Sequence, residues 1–156
     1  MKERAEKMKV TDEIIYVGVN DHDIDLFEGQ YIVPNGMAYN SYVIRDEKIA
    51  VMDTVDEAFG EEWLENVKNA LDGAKPEYLI IQHMEPDHAS SALALLEKYP
   101  EAKIVGQPST FKLFEQFFRT PMPDRYMTVN EGDQLKLGKH TLQFIKAPMV
   151  HWPEVI

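Results

Sequence analysis

The sequence predicts a mixed α/β domain with substantial antiparallel sheet, and three observations carry that prediction. Short β-branched and aromatic runs fill the first third of the chain. An apolar stripe of period four replaces them over residues 58–71, and paired strand-like runs flank a Gly-Lys turn near the end. At 156 residues, 44% of them hydrophobic, the chain has the size of one ordinary domain and enough apolar side chain for a real core.

Taken in order, residues 1–10 are charged and read as a frayed helix or the lead-in to a first strand. Ile14-Ile15-Tyr16-Val17-Gly18-Val19 reads as a buried strand. Residues 20–30 are acidic and end in Glu28-Gly29-Gln30, which predicts a loop. Tyr39 to Ile44 and Ile49 to Met52 surround the polar turn Arg45-Asp46-Glu47-Lys48, a hairpin pattern that ends where Asp53-Thr54 turns strand into loop. Phe59, Trp63, Val67 and Leu71 then recur every fourth residue among Glu61, Glu62, Glu65 and Lys68. This predicts an amphipathic helix over 58–71 with its aromatic stripe in the core, stopped by Asp72-Gly73 and Pro76.

Tyr78 to Gln82 is a short apolar strand. Ala89 to Tyr99 reads as a helix with Leu93, Leu96 and, as a further candidate, Leu95 facing inward, closed by Pro100. Lys103 to Gly106 is a further strand, and Ser109 is placed to cap a helix carrying Phe111, Phe114, Phe117 and Phe118. Residues 126–129, 133–137 and 140–145 are strand-like, with Gly138-Lys139 as a tight turn between the last two. The order is a β-meander, then β-α-β-α-β, then a hairpin.

Charge and composition exclude several function classes. With 16 basic against 27 acidic residues the formal charge is -11, which argues against a nucleic-acid-binding surface. The absence of cysteine removes disulfides, thiolate metal sites and iron–sulfur clusters, so any metal must be held by imidazole and carboxylate. No run approaches the length of a membrane span, and the charged N-terminus lacks the apolar core of a signal peptide. The expectation is a cytoplasmic protein.

The chemistry concentrates in Gln82-His83-Met84-Glu85-Pro86-Asp87-His88, four potential metal ligands within six residues, directly after an apolar strand. In an extended segment His83, Glu85 and Asp87 alternate and point to one side, whereas adjacent Asp87 and His88 diverge unless they serve different ions. Two neighbouring metals suit that spacing, with His83 and Glu85 facing one and Asp87 and His88 the other. Pro86 restrains the backbone between the ligands. The bland alternative is a capped helix start with two surface histidines. Four ligand-type residues so close together, in a chain with five histidines, weigh against it. Imidazole and carboxylate without thiolate suit iron, manganese or zinc, and the carboxylate content tilts the balance to iron. His151, in Val150-His151-Trp152-Pro153, is the further candidate ligand; His22 and His140 read as surface residues.

The His-x-Glu-x-Asp-His pattern of residues 83–88 resembles the first ligand motif of the metallo-β-lactamase superfamily. Its hydrolases usually carry histidine where this chain has Glu85. Glutamate there resembles the flavodiiron proteins, which reduce dioxygen to water or nitric oxide to nitrous oxide. Asn35-Gly36-Met37-Ala38-Tyr39-Asn40-Ser41-Tyr42, Val51-Met52-Asp53-Thr54-Val55 and Val150-His151-Trp152-Pro153 are similar too. The resemblance implies a metallo-β-lactamase-like αββα sandwich of which residues 1–156 form the first part, without the flavodoxin-like domain that binds FMN in the family. It implies that His83, Glu85 and His151 ligate one iron and Asp87 with His88 the other. Asp53 then orients a ligand histidine, and Trp152 lies where the family has an aromatic near the flavin. Implied partners are dioxygen or nitric oxide, a rubredoxin-like or flavin electron donor, and a second copy in a homodimer.

The family's bridging aspartate and last histidine have no counterpart here, and its usual His-Trp-Pro-Asp-Ser reads His-Trp-Pro-Glu-Val, diverging at Glu154. On that ground independent activity of this stretch is not expected. A metal-dependent hydrolase and a non-catalytic remnant stand as the alternatives.

Overall fold

The computed structural model describes residues 8–156. In chain order the strands of the first third are β1 (Ile14–Tyr16), β2 (Val19–Asp21), β3 (Leu26–Phe27), β4 (Tyr31–Ile32), β5 (Met37–Tyr39), β6 (Tyr42–Ile44) and β7 (Ala50–Met52). There follow α1 (Gly60–Leu71), β8 (Tyr78–Ile80), α2 (Pro86–Ala89), α3 (Ala92–Lys98), β9 (Lys103–Gly106) and α4 (Pro108–Phe118). β10 (Tyr126–Thr128), β11 (Gln134–Lys136) and β12 (Thr141–Gln143) complete the chain.

A six-stranded sheet of order β1-β6-β7-β8-β9-β10 is the frame. The β1, β6 and β7 pairings are antiparallel, and β7 through β10 are parallel. The mixed α/β class with antiparallel sheet is thus as expected, with one more β-α-β unit than the order predicted, because α4 links β9 to β10. The strands alternate faces with period two. Val43, Val51, Leu79 and Ile104 point to one side, where they form a core with Trp63, Val67, Leu95, Leu96, Phe111 and Phe114 from the helices. Ile44, Ala50, Ile80 and Val105 point to the other, under Leu135, Leu137 and Phe144 of the β11–β12 hairpin region. Both faces of the central strands are covered, which is why Tyr78-Leu79-Ile80 reads as an uninterrupted apolar run. Each large side chain so buried contributes about 1.5–3 kcal/mol.

Several elements differ from expectation for identifiable reasons. The predicted strand over 14–19 breaks at Val17-Gly18, so that β1 pairs with β6 while β2 pairs with β5. A Cβ on Gly18 would lie 2.2 Å from the Tyr39 carbonyl oxygen, so the break needs a residue with none. The predicted 39–44 strand breaks likewise, at Asn40-Ser41, between β5 and β6. Residues 20–30 are not a plain loop: β3 and β4 pair across a turn in which Glu28 and Gly29 both have positive φ.

The helix predicted over 89–99 is two helices. Pro86 at its first turn starts α2 inside the ligand cluster, and the chain bends at Ser90-Ser91 before α3, which buries Leu95 and Leu96 and leaves Leu93 half-buried. The cap of α4 is Gln107, in a capping box with Thr110, not Ser109. The helix predicted over 58–71 appears as a 3-10 turn at Glu57–Phe59 followed by α1. Of the charged residues 1–10, residues 1–7 lie outside the described residues. Lys9 bridges Ile15, consistent with a lead-in to β1.

Candidate metal centre

Parallel pairing sets the C-terminal ends of β7 and β8 side by side, Met52 opposite Ile80. A crevice at such strand ends is where open α/β sheets present their functional side chains. Asp53 leaves β7 with φ 51°, its N–H on the Ile80 carbonyl (2.8 Å). From there its carboxylate reaches over the end of β8: Oδ1 accepts from the Gln82 N–H (2.7 Å), and Oδ2 from Gln82 Nε2 (3.3 Å). Oδ2 also lies 3.2 Å from His88 Nδ1. Thr54 completes the tie, its N–H and hydroxyl both donating to the His88 carbonyl at 2.7 and 2.8 Å. Asp53 therefore stands within hydrogen-bond reach of a histidine of the cluster.

His83 is the hub. It is 5% exposed, Glu85 is 6% exposed, and His83 Nε2 lies 2.8 Å from Glu85 Oε2. His151, brought back by the C-terminal segment, places its Nε2 2.8 Å from the same oxygen. The ligand-type atoms of His83, Glu85 and His151 all lie within 4.8 Å of one another, the one such group of three among the described residues. The rings of His88, His151 and Trp152 each stand with centroids 5.0 Å from that of His83, the Trp152 ring perpendicular to it.

Asp87 does not join the group of three. The start of α2 at Pro86 ends the alternation that would align it with His83 and Glu85. It turns instead toward His88, with Oδ2 3.7 Å from His88 Nε2, and its Oδ1 is buried without a hydrogen-bond partner among the described residues. The five expected ligands thus divide into a group of three and a neighbouring pair. His22 is exposed, as expected, whereas His140 is half-buried, with Nδ1 2.7 Å from Asp46 Oδ2.

Two acidic residues were not anticipated. Glu154 is fully buried, with Oε1 2.7 Å from His83 Nδ1 and accepting the Met84 N–H at 2.8 Å. Its one sequence signal was its place three residues after His151. Glu28, at the β3–β4 turn, comes close enough to Glu85 for the two carboxyl groups to shift one another. Nothing in the acidic 20–30 stretch marked it, because its approach depends on how the small hairpin folds over β8.

The electrostatics follow from this crowding. Burial pushes the Glu85 carboxyl up, but hydrogen bonds from Glu28, His151 and His83 outweigh it and hold the group at about 2. The hydrogen bond to Glu85 raises Glu28, aided by burial and the charges of Glu85 and Asp87. Burial, then the Glu85 charge, raises Asp87 against the pull of His88. Burial lowers His88, yet its bond to Asp53 and the charges of Asp53, Asp87 and Glu85 leave it raised. Carboxylates outnumber the compensating protein cations here, a setting that favours a bound cation.

A family model described as "ODP family beta lactamase" matches residues 37–156. The chain belongs to this beta-lactamase family. A nitric oxide reductase of Moorella thermoacetica is 36% identical over 151 residues, covering 96% of this chain and 38% of that protein. An anaerobic nitric oxide reductase flavorubredoxin of Vibrio vulnificus is 33% identical over 93% of this chain and 30% of its own length. Among solved structures, the rubredoxin oxygen:oxidoreductase of Desulfovibrio gigas superposes with TM-score 0.90 at 34% identity, over 96% of this chain and 37% of that one. The flavodiiron protein of Giardia intestinalis gives 0.87 at 32% identity, over 99% and 37%. The flavodiiron chain described here therefore has the metallo-β-lactamase-like fold and spans little more than a third of the first of these relatives. No helix among its described residues is long and apolar enough to cross a membrane.

Proposed function

We propose that this chain supplies the iron-binding face of a flavodiiron-type oxidoreductase that reduces dioxygen to water, nitric oxide to nitrous oxide, or both. The observation that carries this reading is the convergence of His83, Glu85 and His151, two imidazoles and one carboxylate drawn from two distant segments, within 4.8 Å. That donor set suits one iron, and Asp87 with His88 offers two donors to a second. The buried Oδ1 of Asp87 is an oxygen for which the described residues supply no donor. Iron held there would bind the small oxidant and pass electrons to it.

The protein's own residues hold and shield that position. Asp53 fixes the ring of His88, and Trp152 closes one edge of His83. Electrons come from FMN, carried outside the residues described here and refilled by a rubredoxin-like or flavin donor, in a cytoplasmic homodimer. The names of the relatives, which include a nitric oxide reductase and a rubredoxin oxygen:oxidoreductase, support this class of chemistry.

Metal analysis after anaerobic purification tests the reading. The expected result is about one to two irons per chain, falling severalfold in Glu85→Ala and His151→Ala. Metal well below one per chain, or zinc accompanied by thioester hydrolysis, refutes it.

A further inference from the structure

Glu154 has no role in the reading above, yet its side chain is fully buried, and its Oε2 has no hydrogen-bond partner among the described residues. Its Oε1 lies 2.7 Å from His83 Nδ1 and accepts the Met84 N–H at 2.8 Å. Its carbonyl accepts from Gln107 Nε2 at 2.9 Å, and two residues on the Ile156 N–H donates to the Gln82 carbonyl at 3.1 Å. The residue thus pins the segment that carries His151 onto the segment that carries His83.

A purely structural tie has no use for a carboxylate. Burying one is costly, and a neutral acceptor satisfies the Met84 N–H equally well. What the carboxylate adds is negative charge on the far nitrogen of His83. A histidine that donates from Nδ1 to a carboxylate presents its Nε2 lone pair, becomes a stronger electron donor and loses freedom to rotate. His83 Nε2 is the nitrogen that faces Glu85.

We propose that Glu154 is a positioning residue for the metal centre, which fixes His83 with Nε2 toward the ion and couples the His83 and His151 segments through one carboxylate. The inference rests on the reading of His83, Glu85 and His151 as metal ligands.

Zinc(II) serves as a redox-silent probe of this role. Its affinity is measured by competition with a chromophoric chelator for the wild type, Glu154→Gln, Glu154→Leu and His83→Ala. Nitrogen-15 spectra of the zinc-loaded, histidine-labelled protein report the Nδ1 proton of His83. The isosteric Glu154→Gln keeps a neutral acceptor and is expected to weaken zinc binding about tenfold, Glu154→Leu up to about a hundredfold. The His83 Nδ1 proton resonance shifts in the first and is lost to exchange in the second.

Zinc affinity within about twofold of wild type in both Glu154 variants, with only the melting temperature lowered, overturns this inference while leaving the metal site intact. Should Glu154→Leu fail to fold, Glu154→Gln alone decides. Wild-type protein that takes up no zinc, or takes it up undiminished in His83→Ala, overturns the metal-centre reading and this inference with it.

Discussion

Asp53 is the residue at which stability and site geometry are most directly linked, and Asp53→Ala tests that link. Three bonds end on its carboxylate, from the Gln82 N–H at 2.7 Å, Gln82 Nε2 at 3.3 Å and His88 Nδ1 at 3.2 Å, at a residue 4% exposed. Alanine leaves the Gln82 N–H without its acceptor, at a cost of about 1–3 kcal/mol. It must also adopt φ 51°, which aspartate tolerates better than alanine by roughly 1 kcal/mol. These come to about 2–4 kcal/mol, and relief from burying a charge offsets part, so the net loss is about 1–3 kcal/mol, or about 2–12 °C in melting temperature for a domain of this size. Asp53→Asn keeps both the left-handed conformation and an acceptor for the Gln82 N–H, and should lose less than half as much. Urea and thermal unfolding of the metal-free proteins measure both. Asp53→Ala within about 0.5 kcal/mol of wild type, or Asp53→Asn as damaging as Asp53→Ala, refutes the account.

Two further outcomes follow from the same kind of reasoning. Gly18→Ala, ordinarily a mildly stabilising change, should here cost about 3 kcal/mol or more, since its Cβ meets the Tyr39 carbonyl at 2.2 Å and the Tyr16 hydroxyl at 2.6 Å; urea unfolding reads it. Asp46, at the β6–β7 turn, accepts from both the backbone and the ring of His140, and these bonds hold its carboxyl well below the ordinary value of 3.8. A carboxyl depressed in the folded state stabilises above its unfolded value and loses that contribution as pH falls through its folded value. The stability gap between wild type and Asp46→Asn should therefore be full near neutrality and shrink progressively below about pH 4, as read by denaturation at a series of pH values.

The sheet was legible in the sequence because its central strands are buried on both faces and must be apolar throughout, as Tyr78-Leu79-Ile80 is. Helix α1 was legible because one face of Trp63, Val67 and Leu71 meets the core. What stayed hidden depended on contacts made across the fold. The break at Gly18 is dictated by a carbonyl 21 residues away, and the cap on α4 by a glutamine whose side chain also carries the weight of the C-terminal segment. The site divided in the same way. His83 and Glu85 stood out by residue type and spacing and His151 joined them through the family resemblance, whereas the approach of Glu28 and the burial of Glu154 arise only once the β3–β4 turn and the last seven residues are folded onto β8. Asp87 lies with His88 and not in line with His83 and Glu85, since Pro86 begins a helix where an extended segment was expected.

Glu85 is where the redox and hydrolytic readings part. One of its oxygens lies 2.8 Å from Nε2 of both His83 and His151, so it occupies the centre of the donor group. A histidine at that position would make the group three neutral imidazoles, the set that lowers the pKa of a zinc-bound water in hydrolytic sites. A carboxylate held at about 2 is ionised at every physiological pH, and Glu154 places a second carboxyl behind His83. Negative charge at and behind the ligands compensates a higher positive charge on the ion, which favours a metal that changes oxidation state over one that does not. The same charge makes the group costly to assemble with no cation present, since the charges of Glu85 and Asp87 act on one another with only histidines to oppose them. Loading with iron should on this reasoning raise the melting temperature of the wild type more than that of Glu85→Gln, because the substitution removes the repulsion and the ligand together.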